Sequence, residues 1–359
     1  MDRRQFLALA GAGTTATLAG CVPTLGSEPQ ATEATEAGVR ADTVATGLRV
    51  PWGADYRDGT LYLTERRGRV VRVVDGTVEP VVDLSESVET GGEGGLLGLA
   101  FHPDDPVAFT YQTYLSGASR KNRIVRHDLT DDWAGEAVLD GIPGAPIHDG
   151  GRLLVWDGAL YVTSGDATNR ESAQDRDALS GKIHRLTLDG DPHPQNPFGT
   201  TVFTWGHRNP QGLATRENRL FATEHGPDTD DEINLLEAGN NYGWPEVKGT
   251  TEAEGFTPAL DAFTPTIAPG GATFYPEDGP IEDWRGDLLF GTLVGSHLHR
   301  TRIEETAVTE NHRHFADQFG RLRTTFVGPD AHLYAVTSNR DGRGSPQEGD
   351  DRVLRFRPA

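Results

Sequence analysis

Six short runs carry apolar residues at strand length: Leu61-Tyr-Leu-Thr, Phe109-Thr-Tyr-Gln-Thr-Tyr, Leu160-Tyr-Val-Thr, Leu220-Phe-Ala-Thr, Leu288-Leu-Phe-Gly and Leu333-Tyr-Ala-Val. Alternation of apolar and polar residues is a strand pattern, and no long helical period competes with it. Turn formers precede several runs, as in Asp58-Gly59, Asp157-Gly158 and Arg285-Gly-Asp287. A second strand-like segment often follows, such as Gly68-Arg-Val-Val-Arg-Val, Gly181-Lys-Ile-His-Arg-Leu or Asp351-Arg-Val-Leu-Arg-Phe. The runs start 45 to 68 residues apart, and a unit of that size holds about four short strands, as a propeller blade does. Six such units fit between Gly47 and Pro358, so the pattern predicts an all-β, six-bladed β-propeller. A β-sandwich is the alternative, but it would not repeat one inner-strand signature six times. The two longest intervals flank Trp205–Pro245, which places the largest loop insertions there.

Composition narrows the class. A formal charge of −21 at pH 7 would repel phosphates and argues against a nucleic-acid partner. The 33 Lys+Arg against 54 Asp+Glu suit either a solubilising surface or adaptation to high salt, and the balance favours the second. The N-terminus reads as an address. Asp2-Arg3-Arg4-Gln5-Phe6-Leu7 heads an Ala/Gly-rich run too short to span a bilayer, in the manner of a twin-arginine export signal. Leu18-Ala19-Gly20-Cys21 is similar to a lipobox, and Cys21 is the chain's single cysteine, which removes disulfide and thiol chemistry. Residues 1–21 are therefore expected as signal, 22–43 as a flexible tether, and 44–359 as the propeller. The expected location is the outer face of the cytoplasmic membrane through a lipid anchor, or outside the cell.

Residues able to do chemistry fall in four clusters. They are Gly92-Glu-Gly-Gly-Leu-Leu-Gly-Leu-Ala-Phe-His-Pro103, His148-Asp-Gly-Gly-Arg-Leu153 with Ser164-Gly-Asp166, the Trp205–Pro245 stretch, and Gly320-Arg-Leu-Arg323. His148 with Asp166 makes a reasonable general base, though it equally suits a loop-holding histidine. Arg208 and Asn209 suit either a developing oxyanion or loop carbonyls. Arg321 and Arg323 alternate on a strand-like run, so both point one way, as a polycarboxylate ligand or an exposed edge would require. Asp228, Asp230, Asp231 and Glu232 form an oxygen-rich group suited to a hard cation or to a solvated turn, without the spacing of an EF-hand. No Walker loop, serine nucleophile elbow or strand-borne dinucleotide fingerprint is present.

Taken in order along the chain, these elements resemble the soluble quinoprotein sugar dehydrogenases, the glucose/sorbosone dehydrogenase family. The elements that carry the resemblance include Val50-Pro-Trp52, Glu65-Arg-Arg-Gly-Arg69, Gly95-Leu-Leu-Gly-Leu-Ala-Phe-His-Pro103, Gly206-His-Arg-Asn-Pro-Gln-Gly212, Glu224-His-Gly-Pro227, Asn241-Tyr-Gly-Trp-Pro245 and Gly320-Arg-Leu-Arg323. The resemblance implies a six-bladed propeller that binds pyrroloquinoline quinone (PQQ) and Ca2+ and oxidises the C1 hydroxyl of an aldose to a lactone. It implies that His148 is the base, Asp166 its orienting carboxylate, and Arg208 the stabiliser of charge on the quinone. Glu93, Asn209, Thr266, Arg321 and Arg323 would contact the cofactor. The carbonyls of Gly226 and Pro227 would hold the catalytic calcium, with Glu232, Tyr242 and Asp231 at a second, structural ion.

Three departures stand out. Glu93 takes the place of a cofactor-contacting Gln, Val294 falls near that of a cofactor Lys, and Thr264 that of an aromatic residue. They point to the broader aldose-oxidising branch, with an aldose as substrate, an unspecified electron acceptor, and membrane contact only through the anchor. A cofactor-less propeller that binds glycans or proteins, and a calcium-dependent lactonase, remain as the alternatives.

Overall fold

The computed structural model describes residues 34–359, and the expected signal with the first part of the expected tether lies outside them. Four four-stranded antiparallel meanders follow one another from Pro51–Arg57 to Asp261–Phe263. A nine-stranded sheet completes the molecule. One end of that sheet is the meander Pro269–Phe274, Leu288–Thr292, Leu298–Glu304 and Ala307–His314. The other end is Leu322–Val327, Leu333–Thr337 and Arg352–Pro358, continued by Val39–Thr46 and Ala34–Glu36. The fold is all-β and propeller-like, but the six separate four-stranded sheets expected from the repeat are not found. A single parallel pair, Gly271 with Thr324, merges two meanders into one sheet. Glycine makes this possible: a Cβ on Gly270 would lie 2.1 Å from the Arg323 carbonyl, and one on Gly271 would lie 2.9 Å from the Thr324 hydroxyl.

The turns follow their sequence chemistry. Asp58-Gly59 and Asp157-Gly158 all have positive φ, the requirement of the tight hairpin turns that match strand twist. The six apolar runs mark the second strand of each meander, not the innermost. A second strand is covered on both sides by its neighbours and packs both faces against adjoining sheets, so it reads as continuously apolar; Ala159–Ser164 is buried at every position. Several first strands instead carry Gly and polar residues, as in Pro210-Gln-Gly-Leu-Ala-Thr-Arg216. These first strands touch one another in chain order, and Leu322–Val327 returns to touch Pro51–Arg57, so they enclose a channel.

Closure comes from the N-terminal segment. Val39–Thr46 pairs antiparallel with Arg352–Pro358, from Val39 opposite Pro358 to Thr46 opposite Arg352. Residues 34–43 are therefore mostly strand and not tether. Between the sheets, side chains from successive meanders interleave: Trp52, Leu97, Phe109, Leu160 and Leu186 form one cluster, and Tyr275, Trp284, Leu289, Phe315 and Phe356 another. Each such buried side chain contributes roughly 1.5–3 kcal/mol.

Candidate active site

The loops at one end of the channel enclose a cavity of about 250 Å³. Glu93, His148, Arg208, Asn209, Gly226, Pro227, Asp231, Thr266, Arg321 and Arg323 all line it, from segments spread over 230 residues of chain. A second cavity of about 760 Å³ adjoins it and shares Leu293, Val294, Arg321 and Arg343.

His148 sits at φ 67° in a loop pressed against Gly165, where a Cβ would come within 2.0 Å of the His148 carbonyl. Its Nδ1 is 2.8 Å from Oδ1 of buried Asp166. An ionised carboxylate at Nδ1 fixes the proton there and leaves Nε2 as the basic nitrogen. Asp166 accepts two further hydrogen bonds, from the Thr168 N–H at 2.7 Å and from the Trp244 indole N–H at 2.8 Å. Trp244 also lies under the Arg208 guanidinium, 5.4 Å from its ring centroid, so one aromatic ring touches both the base's carboxylate and the neighbouring cation. The Asn241-Tyr-Gly-Trp-Pro245 motif was the signal for this residue, whose role the sequence alone did not disclose.

Buried Lys182 supports this arrangement from behind. Its ammonium donates to the carbonyls of Ser172, Ala173 and Ser180 at 2.7–3.1 Å. That holds the short turn Arg170–Gln174, whose Gln174 amide in turn donates to the Trp244 carbonyl at 2.6 Å. Lys182→Met would remove three hydrogen bonds, although the Ser172 and Ala173 carbonyls keep the Asp175 and Gly206 N–H groups and burial lowers the Lys182 pKa to about 7. We expect thermal unfolding to show a loss of about 1–3 kcal/mol, and an unchanged melting point would refute that role.

Glu224 organises the Arg208 loop. It accepts from the backbone N–H groups of Arg208 and Asn209 and pairs with His207 Nδ1 at 2.8 Å. Arg208 donates to the His225 carbonyl at 3.0 Å, while its Nε is buried without a partner. Arg323 is likewise buried with Nε unpartnered, and among the described residues its guanidinium donates only to the Gln211 side-chain oxygen, at 2.6 Å. Arg152, which the sequence reading did not single out, lies 4.3 Å over the Trp52 ring and donates to the Gln211 carbonyl and the Thr324 hydroxyl. Burial lowers its pKa to about 9 and that of Arg323 to about 10, so both remain cations at neutral pH. Neither forms an ion pair among the described residues. Of the two, Arg323 lines the cavity, and a buried guanidinium outside any ion pair gives that wall a cation for an anionic ligand. Arg321 differs, because Asp341 already takes its Nε and Nη2 at 2.9 and 2.8 Å. His225 is held neutral, its pKa pushed down to about 3 by burial.

The expected metal residues separate into two groups. Gly226 and Pro227 line the cavity, and their carbonyls accept no hydrogen bond among the described residues. Asp231 is saturated by the backbone N–H groups of Gly226, Ile267 and Ala268 at 2.6–2.7 Å. Tyr242 is turned away into the core, its ring stacked on His207 and its hydroxyl donating to the Leu235 carbonyl. The carboxylates of Asp231 and Glu232 and the Tyr242 hydroxyl thus each have protein partners of their own. Among the described residues no group of three or more His, Cys, Asp or Glu can hold a metal ion.

Glu232 has another consequence. Burial, reinforced by the charge of Glu224, pushes its pKa from 4.5 up to about 8. The folded chain keeps a proton that the unfolded chain loses over that window, so Glu232 costs stability as pH rises from 4.5 to about 8. Glu232→Gln should melt several degrees above the wild type at pH 8.5 and close to it near pH 4.5. Equal melting points at both pH values would remove this reading.

Comparison with known proteins agrees with the geometry. Residues 48–346 match the family model described as glucose / sorbosone dehydrogenase. The PQQ-bound aldose sugar dehydrogenase of Streptomyces coelicolor superposes with a TM-score of 0.81 at 37% identity, over 90% of this chain and 99% of that one. The aldose sugar dehydrogenase YliI of Escherichia coli is 31% identical over 70% of this chain and 76% of its own length. Quinoprotein glucose dehydrogenase B of Acinetobacter calcoaceticus is 34% identical over 57% of this chain and 51% of its own. The protein belongs to the glucose / sorbosone dehydrogenase family.

Proposed function

We propose that this oxidoreductase uses PQQ and Ca2+ to oxidise the C1 hydroxyl of aldose sugars to lactones. The observation that carries the reading is the convergence, on one cavity, of the His148–Asp166 pair with the partly unpartnered guanidiniums of Arg208 and Arg323. In this reading the nine-stranded sheet counts as two fused blades, which makes the ring six-bladed.

The residues present fit such a ligand. Arg323 and Arg208 offer positive charge to an aromatic polycarboxylate, and Asn209 and Thr266 offer polar edges. Gly226 and Pro227 would offer two carbonyl oxygens to a hard cation. When bound, the quinone would supply the hydride acceptor and the calcium a Lewis acid beside it. Everything else falls to the chain. His148 Nε2 takes the proton of the C1 hydroxyl as the C1–H bonding pair departs as hydride, so the C–O bond becomes a carbonyl. Asp166 holds the imidazole and stabilises the positive charge it acquires. Arg208 lies where negative charge accumulates, and burial strengthens its effect. Export and lipid attachment at Cys21 are part of the same proposal; Cys21→Ser should move the protein from the membrane fraction to the soluble one.

The test is reconstitution of the purified chain with PQQ and calcium, followed by dye reduction with a panel of aldoses at low and high salt. Saturable reduction that needs both additions supports the reading. Ligand binding without turnover would select a binding protein, and lactone hydrolysis without quinone would select a lactonase.

A further inference from the structure

Val294 is 62% exposed on the rim shared by the two cavities, where a cation was expected and none stands. Arg343 reaches that same rim from a different part of the chain, the loop between Leu333–Thr337 and Arg352–Pro358. Asp341 fixes this loop. One of its oxygens accepts the N–H groups of Arg343 and Gly344 at 2.8 and 3.2 Å, and the other holds Arg321. From there Arg343 Nη1 donates to Glu93 Oε1 at 3.0 Å, joining residues 250 positions apart. The other Glu93 oxygen accepts the His148 backbone N–H at 2.9 Å and the Asn209 amide at 3.4 Å. Glu93 is thus tied at once to the base's loop, to Asn209 and to Arg343.

This answers the difficulty of a carboxylate at position 93. An uncompensated Glu93 would repel a polycarboxylate and favour an empty cavity. With Arg343 beside it the pair is neutral, and among the described residues the remaining guanidinium donors of Arg343 make no hydrogen bond. A planar guanidinium can serve two carboxylates through different edges.

We propose that Arg343 is a cofactor-binding residue. It bridges Glu93 and a carboxylate of the bound quinone, and so supplies from the loop between Leu333–Thr337 and Arg352–Pro358 the cation absent at Val294. The inference rests on the quinone reading above, and direct binding tests it without turnover. Apoprotein of the full chain is titrated with PQQ in calcium buffer, by quenching of tryptophan fluorescence and by equilibrium dialysis. Arg343→Gln should weaken binding about 10- to 100-fold, the range of a charged hydrogen bond. Glu93→Gln should change it by less than about threefold, since it removes a repulsion and a bridge anchor together. The deciding measurement is Arg343→Gln in the Glu93→Gln background, where we expect a loss of about tenfold. A lysine at 294 (Val294→Lys) should restore binding to Arg343→Gln.

If Arg343→Gln has no effect once Glu93 is neutral, Arg343 only compensates Glu93 and the proposal is overturned. Absence of PQQ binding by the wild type would instead overturn the quinone reading. The melting points of these variants verify the fold, and Arg343 is exposed enough that Gln should leave them unchanged.

Discussion

His148→Asn is expected to lower kcat for aldose oxidation by about 10²- to 10⁴-fold while leaving PQQ affinity within about threefold. Asn is the informative replacement, because it tolerates the positive φ that His148 occupies and can still donate to Asp166. The backbone N–H of residue 148 would continue to bind Glu93, so the cavity wall stays in place. What disappears is the basic Nε2. Steady-state kinetics on reconstituted enzyme, with a parallel titration of PQQ, separates the two effects. A variant that keeps more than about a tenth of the wild-type kcat would show that another group removes the proton.

Asp166→Asn should cost about 10²-fold or more in kcat, again with little change in cofactor affinity, because Asp166 does not line the cavity. The cause is a conflict of donors. Asp166 receives N–H groups from His148, Thr168 and Trp244, one more oxygen contact than an amide's single oxygen can satisfy in that geometry. An Asn at 166 must turn its NH2 either toward the Trp244 N–H or toward His148. In the second orientation it donates to Nδ1, which shifts the imidazole proton to Nε2 and removes the base. The companion Trp244→Phe keeps the carboxylate and loses one donor, so its cost should be about tenfold or less. Equal losses in the two variants would mean that Asp166 serves only to place Trp244.

Both predictions depend on loops set by local chemistry. Gly150 and Gly165 allow the His148 loop and the segment before Asp166 to press together, and their sequence context, His-Asp-Gly-Gly-Arg and Ser-Gly-Asp, made the pair legible. The Arg208–Asn209 and Arg321–Arg323 pairs were legible for a similar reason, since each sits in a short motif of turn residues. Arg152 was not: it belongs to the His148 motif, but only the fold shows it buried over Trp52 with no carboxylate beside it. Arg343 and Glu93 were separately visible as charged residues in Gly-rich loops, and nothing local connects them.

The expected metal residues are another case. The resemblance assigned Asp231, Glu232 and Tyr242 to one structural ion. Register divides them: Asp231 and Glu232 are consecutive on Asp231–Leu236 and face opposite sides, while Tyr242 folds back beneath His207. Backbone donors close around Asp231, and Glu232 is buried as an acid.

By itself the sequence determined the all-β character, the recurrence of short antiparallel strands, the hairpin turns and the motifs that carry His148, Asp166, Arg208 and Arg323. These depend on side-chain period and turn preferences, which act over a few residues. Tertiary structure alone decided how the meanders join, through close backbone approach at Gly270 and Gly271. It also decided that Val39–Thr46 closes the ring, and which charges meet across the channel. Closure brings residues hundreds of positions apart into a low-dielectric space, and there a partner such as Trp244 for Asp166, or Arg343 for Glu93, is a property of the ring and not of any segment in it.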